Sequence, residues 1–197
     1  MRVKSHWFRA GREKSPQELA GAAAFTIWRI GENALKDMRK AGFDLAVGEQ
    51  YFAFLSEFLI FLVQLADRIA YRHLGGEERV AFTTALANRV GENLAENQAR
   101  LMGGELTAHK ADFIARLNLR ATEYANFEYE KDGVNFSFVR SLGLFMQDVV
   151  GGGDRQWVTD QIMASEAPEA ISTLERAMNG LLELEPRPRA RGDAGGD

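Results

Sequence analysis

The sequence predicts an all-α fold: an antiparallel bundle of four long helices, a fifth helix packed on it, and a C-terminal helical hairpin. Three observations point there. Apolar residues recur at helical spacing through long stretches, each closed by glycine. Only four prolines occur in 197 residues, two of them in the last dozen, so the body is permissive for helix. The block Arg29-Ile30-Gly31-Glu32-Asn33 recurs sixty residues on as Arg89-Val90-Gly91-Glu92-Asn93, each copy inside one of those stretches.

The first helix starts at Ser15-Pro16-Gln17-Glu18, where Ser15 can cap, Pro16 suits the first helical position and Glu18 completes a capping box. It runs to about Ala41, carries Leu19, Ala23, Ile27, Ile30, Ala34 and Met38 along one face, and stops at Gly42. The second, from about Glu49 to Leu74, has its polar residues Glu49, Ser56, Glu57, Gln64, Asp67 and Arg68 on one narrow arc. The rest of its circumference is apolar, which requires neighbours on several sides and marks it as the central helix. The third spans about Glu77 to Met102, and the fourth about Glu105 to Lys131, before the turn signal Asp132-Gly133. Short glycine turns between them imply antiparallel neighbours. A fifth helix, about Asn135 to Val150, precedes the hinge Gly151-Gly152-Gly153. A short helix from Asp154 to Ser165 and a last one from Pro168 to Leu184 would form the hairpin. The expected organisation is therefore a basic aromatic arm (1–14), a bundle (15–150), a hairpin (151–184) and a loose tail (185–197).

Charge and composition narrow the function. The arm carries Arg2, Lys4, Arg9, Arg12 and Lys14 against Glu13, whereas the chain as a whole is −4, so the body is acidic. An acidic body lacks the broad basic surface that phosphate backbones require, and nucleic acid is not an expected partner. The arm, with Trp7 and Phe8, suits a partner groove, an anionic membrane surface or folding back on the acidic body. The absence of cysteine excludes disulfides, thiolate metal sites and cysteine nucleophiles, and fits a cytoplasmic setting. The basic start is not followed by an apolar signal region. The most apolar stretch, Tyr51 to Ala66, is broken by Glu57 and Gln64 and reads as a core helix, so no integral membrane span is expected.

Motifs for chemistry are missing. Glu-x-x-His, the signature of a di-metal bundle, does not occur, and Glu105 with His109 supplies only two ligands. No phosphate loop and no nucleophile elbow is present. Neither a catalytic set, a metal site nor a cofactor is expected. The candidate buried polar or pocket residues are Glu32, Glu57, Asp67, His73 and Arg120. Glu32 lies among Phe25, Trp28 and Leu35. Arg120 is in line with Phe113, Leu117, Tyr124 and Phe127, and would meet Glu57 or Asp67 if the second and fourth helices pack together. His73 falls on the apolar side of the second helix near its end. Gly31 and Gly91 cost about 1 kcal/mol each in a helix interior and suggest close approach of a neighbour. The leading functional expectation is a protein that acts through protein–protein contacts, as a homodimer, adaptor or chaperone-like module. The alternative is a small-molecule-binding protein or enzyme with a pocket between helices lined by Glu32, Glu57, His73 and Arg120.

Overall fold

A computed structural model describes residues 14–127, 129–130 and 133–182. The basic aromatic arm, all but Lys14, with the membrane or body contact expected of it, and the expected tail lie outside these residues. The fold is all-α, and its first helix begins where its cap puts it. In α1 (Pro16–Lys40), Ser15 Oγ accepts from Glu18 N at 3.2 Å while Glu18 Oε2 accepts from Ser15 N at 3.0 Å. A linker with Phe43 and Leu45 buried leads to α2 (Glu49–Tyr71). α3 (Gly76–Met102) and α4 (Leu106–Tyr124) are joined through Gly103 and Gly104, whose φ of 80° and 90° suit glycine. Next come a two-residue antiparallel ladder, β1 (Tyr129–Glu130) with β2 (Gly133–Val134), and α5 (Phe136–Val149), capped by the Asn135 side chain on Phe138 N at 2.9 Å. A single 3-10 turn (Gly152–Asp154) leads into α6 (Arg155–Gln161), a π turn (Ile162–Glu166) and α7 (Ala167–Leu181).

α2 is the central helix. Every residue from Phe54 to Val63 is buried, and α1, α3, α4, α5 and α7 all pack against it. An aromatic file runs from Phe54 through Phe58 and Phe61 to Tyr124 and Phe138, with successive ring centroids 4.6–6.3 Å apart. Beyond Glu49, which is exposed at the helix start, the polar arc of α2 is turned from water: Ser56 and Glu57 are buried, and Gln64, Asp67 and Arg68 are half-buried. The broadest contact of α1 is with α3, not with its chain neighbour α2, so the helices wrap a central member instead of forming four equal sides.

Three local expectations differ from the structure. α4 ends at Tyr124, seven residues short of Lys131, because the chain turns into the β-ladder, where Tyr129 and Val134 suit extended backbone. α2 ends at Tyr71, so His73 lies beyond the helix and is exposed, not on an apolar face. No turn separates the last two helices. Helical backbone continues from α6 through the π turn into α7, and the Ala167 N–H reaches back to Ile162 O. That wider turn takes in Pro168, which lacks an N–H, without breaking the helix. The fold-back lies instead at the triple glycine, where α6 packs on α5. Ile162, Leu174 and Met178 are fully buried, so this segment is spent on the protein's own core.

Candidate functional site

The polar residues of α2 meet α3 and α4 at two places ten residues apart, about 15 Å along the helix. At the first, Glu57 is 2% exposed. Arg120 donates to it from Nε (to Oε2) and Nη2 (to Oε1), each at 2.9 Å, and Arg116 Nη1 donates to Oε1 at 3.2 Å. Arg120 also donates from Nη1 to Glu123 at 2.9 Å and lies 3.7 Å over the Phe145 ring. Burial opposes the charge of Arg120, but hydrogen bonds to Glu57 and Glu123 outweigh it and hold the guanidinium pKa above its ordinary value. Beside this cluster the Tyr124 hydroxyl is buried without a hydrogen-bond partner among the described residues, and burial, then the Glu57 charge, push its pKa up.

At the second place, Arg79 grips Asp67 with Nε at 2.9 Å and Nη2 at 2.6 Å, Thr83 donates to Asp67 Oδ1 at 2.6 Å, and the Tyr71 ring lies 4.8 Å from the Arg79 guanidinium. Arg68, next in the chain, bonds among the described residues to neutral oxygens: Gln64 O at 3.2 Å, Gln64 Oε1 at 3.4 Å and Tyr124 O. Burial lowers its pKa, partly countered by Asp67. A cavity of about 470 Å³ opens here, lined by Gln64, Asp67, Arg68, Tyr71, Arg72, Arg79, Ala121 and Ala125. It continues into a groove of about 460 Å³ between α2, α3 and α4, with Val63, Val80, Ala87, Ile114 and Leu117 as apolar wall and Thr83, Thr84, Asn88 and Asn118 as polar rim.

Of the five sequence candidates, Glu57 and Arg120 come together, sealed in an ion pair. Asp67 lies apart from them, on the cavity and groove. Glu32 is half-buried on α1, where its charge adds to the burial that raises the Tyr51 pKa. His73 is exposed and lines no described cavity. These residues do not share a pocket. Nor do the repeated glycines: Gly31 faces Leu59 and Leu55 of α2, whereas Gly91 faces Phe113 of α4. His109, weighed as a ligand with Glu105, has its Nε2 at 2.8 Å from Gly103 O. Among the described residues no group of three or more His, Asp or Glu could hold a metal ion, and no helix is long and apolar enough to cross a membrane. Sequence reasoning missed Arg79, Arg116 and Thr83. The four-residue spacing of Arg116 and Arg120 was a signal for one of them; the pairing of Arg79 with Asp67 depends on how α3 returns along α2.

Comparison with protein-family models, with curated proteins and with solved structures finds no match for this chain.

Proposed function

We propose that the protein acts by holding another protein chain, or a second copy of itself, in the groove between α2, α3 and α4. The observation that carries this reading is the groove's build. An apolar wall of Val63, Val80, Ala87, Ile114 and Leu117 is bordered by the hydrogen-bonding side chains of Thr83, Thr84, Asn88 and Asn118 and by the mutually paired Asp67 and Arg79, the pattern of a surface that desolvates at its centre and stays polar at its rim. Val80 is 65% exposed at the edge, so burial by a partner would stabilise it. The acidic, cysteine-free chain suits a cytoplasmic adaptor. The pocket alternative has less support, because Glu57 and Arg120 already satisfy each other.

A photo-reactive residue at Thr84 tests the reading, with one at Ser172 on α7 as the control. A discrete adduct from position 84, lost in Val80→Asp/Ala87→Asp, is expected. Light scattering separates a self-adduct from one with another chain. A strictly monomeric protein with no adduct specific to position 84 rejects the proposal.

A further inference from the structure

The cavity at the ends of α2 and α4 has a property that the apolar groove lacks. Arg68 brings a full positive charge into a half-buried position and, although Asp67 lines the same cavity, makes no hydrogen bond to a carboxylate among the described residues. Its three hydrogen bonds all go to amide oxygens, and its Nε has no acceptor among the described residues. Asp67, the nearest acid in sequence, is already held by both arms of Arg79 and by Thr83. The Phe138 ring, 4.7 Å from the guanidinium, supports one face of Arg68 but brings no charge. The carbonyl ends of α2 and α4 add about half a negative charge each. The Tyr124 carbonyl that Arg68 caps belongs to the α4 end, and the α2 carbonyls of Ile69 and Ala70 are taken by the N–H groups of the closing turn. Those dipoles therefore explain what fixes Arg68 without supplying an acceptor on its cavity side. Arg72, one turn further on, also lines the cavity.

We propose that this cavity is an oxyanion site, which takes a small carboxylate or phosphate with Arg68 and Arg72 as donors. A guanidinium offers parallel N–H groups at the spacing of two oxygens on either anion. The volume of about 470 Å³ admits a small organic anion. Gln64, fixed against Arg68, adds a neutral polar wall, and Ala121 and Ala125 leave room on the α4 side. This goes beyond the partner groove, since it needs neither Val80 nor Ala87.

The test is titration of the full chain at low ionic strength with inorganic phosphate and with citrate, followed by calorimetry, against chloride at matched ionic strength. Arg68→Gln also removes the cap on α4, so the informative variants are others. Ala125→Glu places a carboxylate in the cavity wall, Ala125→Gln matches its size without charge, and Arg72→Gln removes the outer donor. Saturable binding of phosphate, citrate or both is expected, weakened about tenfold or more by Ala125→Glu and by Arg72→Gln and kept by Ala125→Gln. Preference for one anion names the ligand class. Heats that match chloride for both anions overturn the proposal, as does binding that Ala125→Glu and Arg72→Gln leave unchanged.

Discussion

Glu57 and Arg120 face each other across the α2–α4 contact in a two-pronged ion pair, both bonds 2.9 Å long, with the carboxylate almost wholly removed from water. Such a pair fixes how α4 seats on α2 more than it adds net stability, because the cost of desolvating two charges offsets much of their attraction. Removing one partner strands the other. Arg120→Met should therefore cost about 3–5 kcal/mol, a fall in Tm of about 2–4 °C for each kcal/mol in a chain of this size. Arg116, half exposed, is a weaker partner, and Arg116→Ala should cost no more than about 1 kcal/mol. The double variant Glu57→Leu/Arg120→Met should recover most of the loss. Urea unfolding of the four proteins checks this; a double variant as unstable as Arg120→Met alone would show that the pair is not the unit.

The glycines of the repeated block should respond differently to alanine. A Cβ at Gly91 would lie 2.9 Å from Cδ1 of Phe113, a buried ring that cannot step aside. The gain of about 1 kcal/mol in helix propensity is then overtaken by about 1–3 kcal/mol of overpacking. At Gly31 the nearest atom is a terminal methyl of Leu59 at 3.0 Å, so Gly31→Ala should be close to neutral. Gly21, mid-helix in α1 with nothing within 4 Å, should gain about 0.5–1 kcal/mol as alanine. Thermal melts that rank the variants Gly21→Ala, Gly31→Ala, Gly91→Ala from most to least stable fit this account; equal effects at positions 31 and 91 would contradict it.

What the sequence made legible follows from how local the physics is. The Ser15–Glu18 capping box, the glycine stops and the wide apolar face of α2 are written in neighbouring residues, and the first helix start and the central helix stand where those residues put them. Glu57 and Arg120 were recognisable as charges among apolar neighbours, and Glu57 was one of two partners, with Asp67, that Arg120 would meet if α2 and α4 packed together. Their meeting depends on the seating of α4, which no local pattern encodes. His73 was misplaced because a three-residue error at the end of α2 moves its side chain off the helix altogether. The π turn was illegible since it answers packing against α5 and α1 as well as the proline. The Arg68 cavity arises from three elements together, and α2 alone shows only that Arg68 belongs to a polar arc.

Glu166 sits in that π turn, 4% exposed, with its Oε1 accepting from Gln161 Nε2 at 2.9 Å. Burial raises its pKa, and the charges of Asp37 on α1 and Glu169 on α7 add to the rise against the opposing bonds from Gln161 and Ser165. Lys40, the nearby cation, is paired with Asp37 at 2.6 Å. A carboxyl whose pKa is higher folded than unfolded binds its proton more readily in the native state. Between the two values stability falls as pH rises, and above the folded value the full cost of the buried charge is present. Glu166→Gln should thus raise Tm at neutral pH, and its advantage should shrink as pH falls into the range just above ordinary glutamate values. Parallel melting curves against pH for wild type and variant would refute this.

The C-terminal helical run is part of the core, and its removal should be felt as loss of fold. Leu174 and Met178 of α7 and Ile162 of the π turn are fully buried, and α7 packs on both α1 and α2. Leu174→Ala leaves a cavity in that contact and should cost about 2–5 kcal/mol. Leu101, 53% exposed near the end of α3, should tolerate alanine within about 0.5 kcal/mol. Deleting residues from 155 onward should expose the α1 and α2 faces now covered by α7, seen as binding of a hydrophobic dye and as association. The comparison separates two roles for this segment. If it were an appendage for partners, Leu174→Ala would alter association and leave unfolding unchanged; as a core element, it must lower the urea midpoint with the monomer preserved.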